Sequence, residues 1–121
     1  MKKILFIDDD PFLREAFSEI LQRNGFEVIT LEDGKNAKNK VHDLEFDLVI
    51  TDIVMPEKEG IETITEIRSI NESIPILAIS GGGRISPRSH LHLAEHMGAN
   101  ATLEKPFDGS TLIAKINSML G

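Results

Sequence analysis

Short apolar runs in this 121-residue chain are followed by side chains that can bind a metal ion or a phosphoryl group. In chain order, these candidate side chains are Asp8, Asp9, Asp10, Asp52, Ser80 and Lys105. Several carboxylates in one pocket repel one another and raise at least one pKa unless a cation neutralises them. Magnesium suits these residue types better than zinc, because it takes carboxylate oxygens, retains water and binds phosphate oxygens. The residues therefore predict a magnesium site that handles phosphate.

Each residue type has a possible part in phosphoryl transfer. The carboxylate of Asp52 can act as a nucleophile and form an acyl phosphate. Lys105 can place a positive charge, and Ser80 a hydroxyl donor, against phosphoryl oxygens that the metal does not reach. Taken singly, each residue has an ordinary structural explanation, such as a turn aspartate, a turn hydroxyl or a solvated lysine. Their placement after different strands favours the functional interpretation.

The segments that must position these side chains alternate between short apolar runs and stretches of helical period. The predicted strands are 3–7, 27–31, 48–51, 76–80 and about 101–103. The predicted helices are 11 to before 25, about 34–44, one outlined by Ile61, Ile64, Ile67 and Arg68, about 87 to before 98, and one with Leu112, Ile113, Ile116, Met119 and Leu120 on its apolar face. This alternation is typical of a parallel sheet covered by helices on both faces. Ligands bind such sheets outside the carboxyl ends of the strands, so we expect all the candidate side chains to share one rim.

Length and composition restrict the class of protein. With 40% hydrophobic residues, the chain is long enough for one domain with a core and too short for two, so we expect a single domain over 1–121 with no effector domain. A net charge of −7 disfavours direct binding to nucleic acid or to anionic membrane. The absence of cysteine excludes disulfides and thiolate zinc sites. The apolar run before Asp8 is too short for a leader or a membrane span, and we expect a cytoplasmic protein.

The chain resembles, over essentially its whole length, the response-regulator receiver family of two-component signalling. The segments that carry this resemblance are ILFIDDD at 4–10, DLVITDIVMP at 47–56 and KPF at 105–107. The resemblance implies a doubly wound α/β fold with a five-stranded parallel sheet in the flavodoxin-like order 2-1-3-4-5. It also implies a stand-alone, CheY-like phospho-acceptor rather than an enzyme, with a sensor histidine kinase or a histidine phosphotransfer protein as the donor and a protein target downstream.

The same resemblance assigns roles to individual residues. Asp52 is the phospho-acceptor, and Lys105 contacts the phosphoryl group. Asp9 and Asp52 bind Mg²⁺ directly, Asp8 binds it through water, and the main-chain carbonyl of Val54 completes the protein ligands. The remaining assignments are a switch hydroxyl at Ser80 and a cis peptide bond between Lys105 and Pro106.

Three departures from the family pattern lead to further expectations. Thr102 occupies the switch position that is commonly aromatic, so we expect no large ring movement to report phosphorylation. The glycine-rich segment 81–87 lengthens the connection after Ser80 and can form an adaptable loop. Val54 and Gly82 stand where related receivers often place polar side chains that orient a hydrolytic water, so we predict slow self-dephosphorylation.

Other interpretations of the sequence remain open. A haloacid-dehalogenase-type phosphatase would use Asp8 of the D-x-D at 8–10, but Phe12 does not fit its motif and Asp52 stays unexplained. A receiver-shaped interaction module would never be phosphorylated. The H-x-x-E-H arrangement at 92–96 is a weak zinc motif, and His90, His92 and His96 have no assigned role. The cognate kinase, the output and the oligomeric state cannot be deduced from the sequence.

Overall fold

A computed structural model describes residues 1–53, 60–80, 95–96 and 98–121 of the chain. Five parallel strands form one sheet in the order β2-β1-β3-β4-β5. The strands are β1 (Lys3–Ile7), β2 (Glu27–Leu31), β3 (Leu48–Asp52), β4 (Ile76–Ser80) and β5 (Ala101–Glu104). The helices bounded within these described ranges are α1 (Pro11–Arg23), α2 (Ala37–Asp43), α3 (Gly60–Ile70) and α4 (Gly109–Leu120). The predicted doubly wound fold and its strand order are confirmed.

Helices cover both faces of the sheet and divide the core into two clusters. One cluster joins α2 and α3 to alternate strand residues, including Leu5, Ile7 and Val49. The other cluster joins α1 and α4 to the strand residues that point to the opposite face of the sheet, including Ile4 and Phe6. Every residue of β3 and β4 is buried, which explains why these strands are apolar without alternation.

The elements agree with the sequence prediction at most boundaries and differ at α2. This helix begins at Ala37 rather than near Gly34. Gly34 is buried in the preceding turn, and a side chain there would overlap Thr63 Oγ1 on α3. A hydrogen bond from Lys35 N–H to the Asp33 carboxylate, at 2.9 Å, stabilises this turn. β3 and β5 each extend one residue further than predicted, to Asp52 and Glu104.

The predicted helix between about 87 and 98 lies almost entirely outside the described residues. Within it only Glu95 and His96 are described, and both are helical. The glycine-rich segment 81–87 is also outside the described residues.

Candidate functional site

The carboxyl ends of β1 and β3 bring Asp8 and Asp52 together. β1 lies between β2 and β3 and pairs with both, so the order of the strands reverses at this point in the sheet. Asp8 follows the last residue of β1 and is fully buried, and Asp52 ends β3 with 5% of its surface exposed. The two acids therefore share the position at which doubly wound sheets bind their ligands.

Three consecutive aspartates at the end of β1 have different surroundings. Asp8 is buried and its Oδ1 accepts a hydrogen bond from Asp10 N–H at 2.9 Å. Asp10 is the N-cap of α1, since its Oδ1 accepts from Phe12 N–H at 2.9 Å and from Leu13 N–H at 3.3 Å. Asp9, between them, is exposed. Asp10 thus has a structural role in α1, and Asp8 and Asp9 remain as candidate ligands.

Lys105 connects the two buried carboxylates. Its Nζ lies 2.8 Å from Asp52 Oδ2 and 3.1 Å from Asp8 Oδ2. Burial by itself would lower the pKa of the Lys105 ammonium, but the hydrogen bonds to and the charges of Asp52 and Asp8 outweigh burial and raise it. The ammonium is therefore held in its charged form beside both acids.

Oxygen donors converge in the pocket in a way that suits a hard divalent cation. Asp8, Asp9 and Asp52 each place one carboxylate oxygen within 4.8 Å of the others. Burial raises the pKa of the Asp8 carboxyl, and the charge of Asp52 raises it further, against the opposing effects of the Asp10 N–H and of Lys105. Among the described residues, the pocket thus holds two buried carboxylates and an exposed one beside a single ammonium, that of Lys105. The donor set therefore fits Mg²⁺, which prefers one or two carboxylates and several waters.

Ser80 and Lys105 are adjacent at the ends of β4 and β5. Lys105 N–H donates to the Ser80 carbonyl at 2.8 Å. Ser80 is fully buried, and its Oγ has no hydrogen-bond partner among the described residues. Thr102 pairs in register with Ala78, whereas Ser80 pairs with Glu104, so Thr102 lies two residues before the rim on a half-buried strand.

The loop that carries Lys105 is anchored on the core by an aromatic stack. The Lys105–Pro106 peptide bond is cis, as expected. The Phe107 ring stacks on Phe17 of α1 with a centroid separation of 5.1 Å and an interplanar angle of 16°. Phe17 is buried and in turn packs near Phe6 of β1. Phe107 thus links the lysine loop to two of the elements beside the acidic pocket.

One residue near the pocket was not singled out from the sequence. Arg14 Nη1 donates to the main-chain carbonyl of Asp8 at 2.7 Å. Its position six residues after Asp8, on the first helix, is compatible with this contact, but no motif marks it. A carbonyl acceptor gives no signal in the sequence, because every residue carries one.

Other residues proposed from the sequence fall outside the described part of the chain. They are Val54, Gly82, His90 and His92. His96 is described and is exposed on its helical turn. The roles predicted for these residues stay predictions.

Comparison with known proteins identifies the same family by its family model and by individual relatives. The family model for the response regulator receiver domain matches residues 4–117. A transcriptional regulatory protein CpxR homolog of Haemophilus influenzae is 37% identical over 120 residues, which cover 99% of this chain and 51% of that protein. The chemotaxis protein CheY of Bacillus subtilis is 36% identical over 119 residues, which cover 98% of this chain and 97% of that protein. The chain thus spans about half the length of its CpxR relatives and nearly all of this CheY.

Solved structures show the same fold. The chemotaxis protein CheY4 of Vibrio cholerae superposes with a TM-score of 0.88 at 34% identity, with 99% of each chain covered. A CheY-like receiver domain protein of Methanospirillum hungatei gives a TM-score of 0.90 at 25% identity, with 99% of this chain and 94% of that chain covered.

The chain belongs to the response regulator receiver domain family of two-component systems. Members of this family are phospho-acceptor signalling domains that typically bind Mg²⁺. They are phosphorylated by histidine kinases or phosphotransfer proteins. In the described part of the chain, no helix has the length and apolar character needed to span a membrane.

Proposed function

We propose that this chain is a magnesium-dependent phospho-acceptor, with Asp52 as the residue that takes the phosphoryl group. The observation that carries the proposal is the contact of Lys105 Nζ with both Asp52 and Asp8 inside a cluster of three carboxylates. A half-buried ammonium beside a buried carboxylate supplies the positive charge that an incoming phosphoryl group needs at its acceptor. The proposal assigns residues 1–121 to a single receiver domain.

In this proposal, each residue of the pocket has a separate task. Asp52 Oδ supplies the nucleophilic oxygen, and Lys105 stays close enough to pair with a phosphoryl oxygen. Asp9, Asp52 and the Val54 carbonyl would bind Mg²⁺ directly and Asp8 through water, and the ion would neutralise negative charge on the phosphoryl oxygens. Ser80 has a buried hydroxyl in need of an acceptor and supplies the switch hydrogen bond, with Thr102 as its partner position.

The proposed donor is the phosphohistidine of a sensor histidine kinase or of a histidine phosphotransfer protein, as is usual in the family. The downstream target is a protein that distinguishes the phosphorylated from the unphosphorylated domain. The net charge of −7 argues against direct binding of these residues to nucleic acid. A domain of this kind acts in the cytoplasm, where its kinase donor holds ATP.

The first test is incubation with Mg²⁺ and acetyl phosphate, followed by intact-mass measurement. The wild type is expected to gain one phosphoryl group in a reaction that EDTA abolishes. Asp52→Asn is expected to gain none, because an amide cannot form the acyl phosphate. Asp43→Asn is the matched control, since its carboxylate is exposed on α2 and it should be phosphorylated as the wild type is.

The outcome also decides between the alternatives. A phosphoryl group on Asp8 instead of Asp52 would favour the haloacid-dehalogenase-type phosphatase. A wild type that gains no phosphoryl group from either acetyl phosphate or a histidine phosphotransfer protein would favour an unphosphorylated interaction module.

The proposal includes a long lifetime for the phosphoryl group. Val54 and Gly82 provide no polar side chain with which to orient a hydrolytic water. The phosphorylated wild type should therefore decay slowly, and Val54→Asn should decay faster because an amide can position that water. Following the decay of the phosphorylated species by mass after removal of the phosphodonor checks this. Rapid wild-type decay that Val54→Asn does not accelerate would contradict it.

A further inference from the structure

Hydrogen bonds immobilise the main chain on both sides of Asp9. On one side, the carbonyl of the Asp8–Asp9 peptide accepts a hydrogen bond from Arg14 Nη1 at 2.7 Å. On the other side, the N–H of the Asp9–Asp10 peptide donates to Asp8 Oδ1 at 2.9 Å. The direction in which Asp9 leaves the main chain is set by these two peptide planes.

The Asp9 side chain itself is exposed, and no hydrogen bond to its carboxylate is found among the described residues. Asp8 is different, because its carboxylate is held by Asp10 N–H and by Lys105 Nζ. Asp9 therefore depends on its main chain, more than Asp8 does, to bring its oxygen within 4.8 Å of the other carboxylates.

We infer that Arg14 is a positioning residue for the metal site, which acts by holding the Asp8 carbonyl and thereby orienting Asp9 towards Asp8 and Asp52. The inference rests on the proposed function, in which these carboxylates bind Mg²⁺. Among the described residues, Arg14 contacts no carboxylate oxygen of the pocket, and its hydrogen bond to the Asp8 carbonyl is charge-assisted and short. Removal of a group that orients a metal ligand without contacting the metal commonly weakens metal binding about 10-fold to 100-fold.

The charge of Arg14 and its positioning effect predict opposite results. A guanidinium close to a cation site repels the cation, so removal of the charge alone should strengthen Mg²⁺ binding. Loss of the hydrogen bond to the Asp8 carbonyl should weaken binding, because Asp9 then samples other directions. The sign of the change in affinity therefore separates the two effects.

The test is isothermal titration of Mg²⁺ into the unphosphorylated protein, without a phosphodonor. Arg14→Met should bind Mg²⁺ about tenfold more weakly than the wild type. Arg14→Lys retains a charged donor and should lose less. The matched control is Arg23→Met, which removes the same charge from the same helix at an exposed residue paired with Glu19, and it should bind Mg²⁺ as the wild type does. Circular dichroism and urea unfolding verify that each variant is folded.

A second variant keeps the test decisive if Arg14→Met does not fold. Arg14→Leu removes the same charge and has no N–H donor, so it also loses the hydrogen bond to the Asp8 carbonyl. Weaker binding by Arg14→Leu supports positioning, and equal or tighter binding overturns it. Equal or tighter binding by a folded Arg14→Met also overturns the inference and leaves the proposed function intact. A wild type that binds no Mg²⁺ overturns both.

Discussion

Asp8 is a buried carboxyl beside a second buried carboxylate, and this makes the stability of the metal-free protein depend on pH. Burial and the charge of Asp52 raise the pKa of Asp8 above the ordinary 3.8. The native state therefore binds more protons than the unfolded state in the window that begins near pH 3.8 and extends upwards to the raised pKa. Through this window, the contribution of Asp8 to the free energy of unfolding decreases as pH rises.

Asp8→Asn should remove this dependence. The amide oxygen can still accept the hydrogen bond from Asp10 N–H, and no charge appears in the core as pH rises. Relative to the wild type in EDTA, the variant should become more stable as pH increases through the window above 3.8. Urea unfolding at a series of pH values measures the difference. Asp43→Asn, which replaces an exposed acid, should show no such trend, and a flat difference for Asp8→Asn would contradict the prediction.

Close packing between the turn before α2 and helix α3 leaves no space for a side chain at Gly34. A Cβ at Gly34 would overlap Thr63 Oγ1 on α3, so the Thr63 side chain, the turn or α3 must move. We expect Gly34→Ala to lower the free energy of unfolding by about 1–3 kcal/mol, as overpacking of a core does. Combination with Thr63→Ala should reduce that cost, because the obstructing oxygen is gone.

Gly25 is the matched control for this cycle. It has a φ of +87°, and a Cβ there would meet no atom within 4 Å. Gly25→Ala should therefore destabilise the protein through its left-handed backbone conformation, by about 1 kcal/mol, and Thr63→Ala should not alter that cost. Urea unfolding of the wild type, the three single variants and the two double variants measures both couplings. Equal coupling of the two glycines to Thr63 would contradict the steric explanation.

The elements differ in how far the sequence could predict them. β1, β2 and β4 were predicted at their observed bounds, because apolar β-branched runs between turn residues are local signals. The start of α2 was not predicted at its observed position. The limited space around Gly34, in the turn before this helix, is set by Thr63, which is 29 positions away in the chain. In the site, carboxylates and a lysine are recognisable by type. The contacts of Arg14, Phe17 and Phe107 depend on packing that periodicity does not reveal.

At the scale of the whole molecule, the acidic pocket lies at the carboxyl ends of the strands, and a separate hydrogen-bond network stabilises the opposite end of the sheet. At the start of β4 and β5, Asn100 Oδ1 accepts from Ile76 N–H at 2.8 Å and from Arg68 Nη2 at 2.7 Å. The same guanidinium donates to the carbonyls of Gly98 and Ile74, at distances down to 2.8 and 2.7 Å. Arg68 thus joins the end of α3 to the segments that lead into β4 and β5, a role that its use in outlining the third helix from the sequence did not include.

Arg68→Ala should destabilise the protein without affecting the chemistry of the pocket. The substitution leaves several half-buried acceptors unpaired, and we expect a loss of about 2–3 kcal/mol in the free energy of unfolding. Arg68→Lys should recover little of it, because one ammonium cannot reach all the acceptors around the edge of the guanidinium. Arg23→Ala, at an exposed ion pair, should cost about 0.5 kcal/mol or less. Urea unfolding measures stability, and acetyl phosphate labelling below the unfolding transition should be equal in all three variants.

The contact of Lys105 with both buried acids means that the pocket already contains a cation, and that this cation is covalently attached to the chain. A divalent cation held by the same carboxylates would compete with the ammonium for them, and the ammonium would stay nearby because its loop is stacked on the core. Its charge would then remain at a high effective concentration at the rim. Loading of the metal would thereby release a cation at the place where an anion next arrives, which couples two binding events without any movement of the sheet.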